Sequence, residues 1–285
     1  MQVDHLAVYP VKSLGGAALS SAEVEPWGLA HDRRWMVVDA TGARVGAIAT
    51  PTLVTLTAVP LPGGGLELSR AGAAPLRVAV PTDGPRTDVG LSRVGWATLA
   101  DDAAHAWLSA ALGRPVRLVW LDDPRRRPVS AEHGGRTGDV LSLADTGPLL
   151  LTSAASLTRL DQWVAQTWAD RYAQCGAAAG TRPRPLAMAR FRPNVVVAGE
   201  GLEPFAEDAW LRVRIGEVEL RLSEHCDRCA VIGIDPTTGE RGHEPLRTLA
   251  GHRRRDGKVW FGVRLVPVTG GTVRVGDPVE VVRSR

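Results

Sequence analysis

Residues 211–236 read LRVRIGEVELRLSEHCDRCAVIGIDP. Leu211 to Ile215 and Val218 to Leu222 alternate apolar and charged side chains, and Gly216-Glu217 separates them. Period-two alternation on both sides of a two-residue turn predicts a β-hairpin with one buried face. The segment then changes character. His225-Cys226-Asp227-Arg228-Cys229 is followed by the apolar run Ala230 to Ile234 and by Asp235-Pro236. A thiolate is the form of cysteine that binds metal, and a neighbouring cation such as Arg228 favours it. Four readings of this CxxC stand open. It is one half of a structural zinc site, which needs four ligands. It is a dithiol of the thioredoxin kind, which would open a helix within a βαβ unit. It is a pair of inert buried cysteines. Or one of its sulfurs is a lone thiolate ligand for a soft metal.

Short β-type runs spread from this stretch in both directions. Toward the N-terminus they are Val3 to Tyr9, Arg34 to Val38 with Ala43 to Ile48 across the turn at 39–42, Leu53 to Val59, Leu66 to Ser69, Leu76 to Val80 and Val116 to Trp120. Gly63-Gly64-Gly65 is a turn; it lacks the Gly-Lys-Ser/Thr of a phosphate loop. Asp101 to Leu112 reads as a helix that an aspartate caps and Gly113 ends. The polar stretch from Asp122 to Gly138 reads as a domain boundary or as an active-site loop. Beyond it lie Gly147 to Leu151, a helix capped by Ser153 and running through Leu157, Leu160, Val164 and Trp168, a loop from Gly176 to Pro185, and Asn194 to Val197. Pro245 to Ala250 is a short helix, and Val259 to Val268 and Thr272 to Val282 are the closing strands. The class is α+β and β-rich, with one domain over 1–122 and another over 123–285.

The chain has 285 residues, 44% apolar and 23% charged, with a net charge of +3, so it folds rather than remaining disordered and is no general nucleic-acid binder. Arg125-Arg126-Arg127 and Arg253-Arg254-Arg255 read either as solvated loop charges or as contacts for a phosphate or an acidic partner. No apolar run reaches the length of a membrane span, and Met1 to Tyr9 lacks signal-peptide form. The three cysteines are too few for a disulfide scaffold. A cytoplasmic protein is expected. The nine tryptophans follow no stripe and read as core filler. His225, His243 and His252 lie in turn-rich sequence and read as structural or exposed. Neither a GxSxG elbow nor an HExxH motif is present.

Several segments, in order along almost the whole chain, resemble the MOSC-domain family, in particular its amidoxime-reducing branch. They are Tyr9-Pro10-Val11-Lys12-Ser13, Gly28-Leu29, Asp32-Arg33-Arg34-Trp35, Asp145-Thr146, Phe191-Arg192-Pro193-Asn194, Arg228-Cys229 with Asp235-Pro236 and Thr238-Gly239, and Val275-Gly276-Asp277-Pro278-Val279. The resemblance implies an N-terminal β-barrel-like domain, then a MOSC β-barrel domain with a few helices, with a molybdenum-molybdopterin cofactor in the cleft between them. It implies Cys229 as the ligand to molybdenum and the catalytic residue. Lys12, Ser13, Arg33, Thr146, Gly147, Arg192, Asp227 and Arg228 would contact the pterin or its phosphate, and Arg264 would join them. The branch usually carries Ser at position 147, so a contact from Gly147 would come from its backbone. Planar guanidinium forks suit such an anionic group. Cys226 has no matched role and reads as a buried or redox-sensitive bystander.

The activity implied is the two-electron reduction of N-hydroxylated or N-oxide compounds. A plant-type ferredoxin cluster needs four cysteines, and this sequence has three. Electrons are therefore expected from a separate ferredoxin, flavodoxin or cytochrome-type donor, docking on one of the basic clusters. The long loops at 122–138 and 176–185 are expected to form the substrate rim. Two other outcomes keep the fold: a sulfur or cofactor carrier using a Cys229 persulfide, and a binding protein without turnover.

Overall fold

Strands Trp210–Ile215 and Val218–Asp227 form the hairpin that the alternation across residues 211–222 predicts. The second strand continues to Asp227, so the first cysteine of the CxxC is a strand residue. The computed structural model describes residues 1–176 and 184–285. Its first part contributes β1 (Gln2–Val8), β2 (Ala17–Leu19), β3 (Ser21–Glu25), β4 (Gly28–Leu29), β5 (Trp35–Val38), β6 (Thr57–Pro60), β7 (Leu66–Ser69), β8 (Leu76–Val78), β9 (Arg86–Asp88), β10 (Trp96–Leu99), helix α1 (Asp102–Leu112) and β11 (Arg117–Trp120). Later residues add β12 (Leu149–Ser153), α2 (Ala154–Cys175), β13 (Val195–Ala198), β14 and β15 (the hairpin above), α3 (Leu246–Arg253), β16 (Arg254–Arg255), β17 (Lys258–Pro267), β18 (Gly271–Arg274) and β19 (Val279–Ser284).

A nine-stranded sheet runs in the order β19-β14-β15-β17-β12-β13-β1-β2, with β16 paired beside β17. Its one parallel pair, β12 with β13, is bridged by α2, the long crossover that parallel strands require. Val213, Ile215, Val218 and Leu220 of the hairpin bury against Leu149, Val195, Val263 and Leu265. The smaller sheets are β5-β11-β10-β9, β18-β3-β4 and β6-β7-β8. Among the described residues none of these sheets closes on itself, so the expected barrels are open sheets. β1 pairs with β13 and β3 pairs with β18, so two of the sheets take strands from both sides of residue 122.

The helices begin and end where their caps dictate. The Asp101 side chain accepts the Ala104 amide of α1, and Gly113 ends that helix at φ 66°, a left-handed value that glycine adopts without steric cost. The Ser153 hydroxyl accepts the Ser156 amide of α2 at 3.0 Å. The hairpin expected at residues 34–48 shrinks to its turn: the Asp39 amide bonds to the Ala43 carbonyl and the Val45 amide to the Val37 carbonyl around a Val38–Arg44 bridge, while β5 pairs along its length with β11. The Gly46 carbonyl accepts the Ala49 and Thr50 amides, which turns that segment away from the sheet. Thr272 to Val282 splits into β18 and β19 because the Asp277 carboxylate accepts the Arg274 amide at 2.7 Å and closes a turn.

Two composition readings also change. Trp35 and Trp210 are buried, but the other seven tryptophans are half-buried, and several carry arginines on their faces. Arg86 and Arg126 flank Trp96 at 3.8 and 3.9 Å, a cation–π arrangement. Arg127 is 1% exposed and donates to the carbonyls of Ser92, Ser142, Ala144 and Asp145, so the 125–127 cluster is not simply solvated.

Candidate cofactor cleft

Between the segments before residue 50 and the nine-stranded sheet lies a cleft of about 340 Å³. Lys12, Ser13 and Arg33 line one side; Gly147, Arg192, Asp227, Arg228, Cys229 and Arg264 line the other. Nine of the ten residues expected at the site thus share one cavity. Thr146 does not line it, because its hydroxyl donates to Glu224 instead. Residues 122–138, expected at the rim, contribute no lining either. Arg44 and Gly46 to Ile48 take that place, carried there by the turn at Gly46. The loop expected at 176–185 lies largely outside the described residues.

Three lining residues have left-handed backbones although none is glycine: Ser13 at φ 73°, Arg33 at φ 47° and Arg192 at φ 56°. Such conformations cost on the order of 1–3 kcal/mol each and persist only where the surroundings impose them. Here the imposing contacts are visible. Arg33 Nη1 donates to Asn194 Oδ1 at 3.0 Å, and its Nη2 donates to the Arg192 carbonyl at 3.0 Å. Arg192 Nη1 donates to the Leu14 carbonyl at 2.5 Å. Both guanidinium groups lie over the Tyr9 ring, at 4.5 and 4.3 Å. Burial, then the Arg33 charge, pulls the Arg192 pKa down to about 10. Asp32, 2.5 Å from Arg33 Nη1, offsets part of this like-charge pair, and a further anion beside it would be favoured.

Lys12 is 6% exposed; its ammonium donates to the Leu143 carbonyl at 2.8 Å and to Asp145 at 2.5 Å. Burial lowers its pKa to about 8, against the opposing pull of Asp145. Lys12, in turn, holds the Asp145 carboxyl below the usual carboxylate range. The Cys229 thiol is exposed to the cleft, while Cys226, buried at 2% exposure, accepts a hydrogen bond from Arg228 Nη1 at 2.8 Å. Cys226 is buried, as expected, and its side chain also forms part of the cleft wall. Arg228 Nη2 donates to the Phe191 carbonyl at 2.7 Å, and its buried Nε has no partner among the described residues.

The open readings of the CxxC narrow accordingly. β15 reaches Asp227, the Arg228 amide bonds to the Val259 carbonyl, and Cys229 is extended at φ −112°. Three steps of extended chain separate α-carbons by roughly 10 Å, beyond the ~7 Å limit for a disulfide. Cys175 lies at the end of α2, its thiol on the Arg171 carbonyl, and no group of three or more His, Cys, Asp or Glu among the described residues could hold a metal. A four-ligand zinc site is not assembled. A single exposed thiol facing a basic wall is.

Asp145, Arg44 and Ala47 belong to the cleft without having been singled out as site residues, and Glu224 lies behind it. Asp145 stands in a segment already quoted, next to Thr146. Arg44 and Ala47 were concealed by the strand reading of 43–48.

The MOSC domain model matches residues 138–280, and the MOSC N-terminal beta barrel domain model matches residues 1–115. Mitochondrial amidoxime-reducing component 1 of Homo sapiens is 33% identical over 98% of this chain and 82% of its own length. Molybdenum cofactor sulfurase of Danio rerio is 32% identical over 92% of this chain but only 31% of its own length. With family models covering both halves and a third of all positions shared end to end with the amidoxime-reducing relative, the chain belongs to the MOSC-domain family.

Proposed function

We propose that the cleft holds a molybdenum-molybdopterin cofactor through Cys229 and that the protein reduces N-hydroxylated or N-oxide compounds. The observation that carries this reading is one exposed thiol in a cleft walled by Lys12, Arg33, Arg192, Arg228 and Arg264. An anionic group that brings its own remaining donors to the metal fits this set, and the unpartnered Arg228 Nε offers one more hydrogen bond. The cofactor, when bound, supplies a two-electron couple and a site for the departing oxygen. The chain's own residues do the rest. Arg33, Arg192 and Arg228 grip negative charge, Cys229 offers its sulfur, and Gly46, Ala47, Ile48 and Val231 give the mouth an apolar edge for the substrate. In the net reaction R–NHOH takes up two electrons and two protons and gives R–NH2 and water.

The electrons come from a separate ferredoxin, flavodoxin or cytochrome-type protein. Of the two basic clusters, the second suits that donor. Arg254 and Arg255 form β16, which pairs with Lys258 and Val259 of β17, and the Val259 carbonyl bonds the Arg228 amide of the cleft. Arg253 is tied to Asp208, Arg255 stands 3.6 Å from the same carboxylate, and Arg254, Arg255 and Lys258 are exposed. No helix among the described residues is long and apolar enough to cross a membrane. The cysteines are free, which suits a reducing compartment and supports a cytoplasmic setting.

Elemental analysis and pterin fluorescence on the wild type and on Cys229→Ser test the reading. Stoichiometric molybdenum is expected in the wild type and little in the variant; equal metal in both removes Cys229 as the ligand. Similarity to a molybdenum cofactor sulfurase over nearly the whole chain favours one second reading, a carrier bearing a persulfide on Cys229. That carrier would show cyanide-labile sulfur lost in Cys229→Ser and no stoichiometric metal.

A further inference from the structure

Behind the cleft wall, Glu224 of β15 collects three partners from distant parts of the chain. Arg264 Nη1 donates to its Oε1 at 2.8 Å, the Thr146 hydroxyl donates to the same oxygen, and His133 Nδ1 lies 2.9 Å from its Oε2. The Glu224 side chain is 16% exposed and that of Arg264 11%. Glu224 does not line the cleft and Arg264 does. An isolated arginine has several rotamers of similar energy; one clamped at one end of its fork has few. A second contact fixes the stem. A β-carbon added at Gly147 would stand 3.0 Å from Arg264 Cβ and 3.2 Å from its Cδ, so the arginine occupies space that a side chain at 147 would fill.

We propose that Glu224 is the positioning residue for Arg264: with Gly147 beneath the stem and Glu224 holding Nη1, the rest of the guanidinium is presented to the cleft to grip an anionic group of the bound ligand. Thr146 and His133 act one step further out, by fixing the carboxylate. Arg264 Nη2 stands 3.9 Å from Asp227, beyond hydrogen-bond distance, so that end of the fork is not clamped. Its pKa is raised because Cys226, Glu224 and Asp145 outweigh the opposing effect of burial. The guanidinium therefore stays charged at any pH the protein meets. Arg264 supplies the charge, and Glu224 sets where it points.

This assignment rests on the reading of the cleft as a pterin-cofactor site. The test compares cofactor retention, as released pterin per chain during dialysis of the holoprotein, in the wild type, Glu224→Gln, Arg264→Met and the double variant, with thermal unfolding measured on each. Partners of this kind typically alter ligand affinity by 10–100-fold, so roughly tenfold faster pterin loss is expected in each single variant. The double variant should lose pterin no faster than Arg264→Met, because Glu224 acts through Arg264 alone. Glu224→Asp keeps the carboxylate but draws it back from Arg264, and it should show a smaller loss in the same direction. It also serves if Glu224→Gln does not fold. Losses that add in the double variant, or pterin retention unchanged in the folded Glu224 variants, overturn the proposal. A wild type that carries no pterin overturns the cleft reading itself, a result distinct from a loaded wild type whose Glu224→Gln form is equally loaded.

Discussion

Lys12 shows how far one buried charge can be followed. Its ammonium sits in the cleft with a pKa lowered to about 8, chiefly by burial. Below that pH the group is charged and favours an anionic ligand; above it the charge is lost. Cofactor retention should therefore fall as pH rises through about 8, and Lys12→Met should be weaker at neutral pH and flat across that range. Dialysis at a series of pH values, read as pterin per chain, checks both, and a wild type flat from pH 7 to 9 would remove Lys12 from the binding set. Lys12, Arg33, Arg192, Arg228 and Cys229 line the cleft as the family resemblance implied, each within a short motif; a cation or a thiol by itself would not have marked them. Glu224 was not legible in the sequence, since its partners Thr146 and His133 are 78 and 91 residues away and a lone glutamate on an alternating strand looks like any solvated one. Thr146 was read as facing the ligand for the complementary reason: a motif names the residue but not the direction in which its hydroxyl points.

Among the elements, the helices were the easiest to read, because caps are local. Asp101, Gly113 and Ser153 stand where the sequence places them. Ser153→Ala removes the acceptor of the Ser156 amide and should cost about 1 kcal/mol. For a chain of this size that lowers the melting temperature by roughly 2–4 °C. A calorimetric scan decides, and an unchanged melting temperature would mean that buried Glu207, which also contacts Ser153 and Ser156, caps the helix unaided. The turn-flanked pattern at 34–48 misled for a physical reason. A two-period run fixes which side chains face inward, yet how far the pairing extends depends on what the next residues bond to: here the Gly46 carbonyl takes the Ala49 and Thr50 amides and ends the second arm just after the Val38–Arg44 bridge. The error mattered, because the segment freed from the sheet supplies Arg44, Gly46, Ala47 and Ile48 to the cleft.

At the scale of the whole molecule, the cleft exists because two parts of the chain are locked together. Ala47 and Val54 pack with Ile234, and Arg241 donates to the Ile48 carbonyl across that junction. The β16–β17 turn next to the cleft gives the docking prediction its place. Charge reversal of Arg254 and Arg255 together should slow donor-driven turnover roughly tenfold at low salt, less as salt screens the attraction, and should leave turnover with a small chemical reductant unchanged. Equal loss in both assays would exclude docking there. The β-rich class was readable from the short β-type runs and the family from motif order; whether the sheets close was not, because closure depends on which edges meet.

The pairing of β1 with β13 and of β3 with β18 has a consequence for how the protein is made. β1 and β3 leave the ribosome well before their partners, which end at residues 198 and 274. At about 5–20 residues per second, that delay is on the order of ten seconds or more. Until then Val3, Leu6 and Val24 have no core to enter, and the arginine-lined cavity cannot form ahead of the last third of the polypeptide.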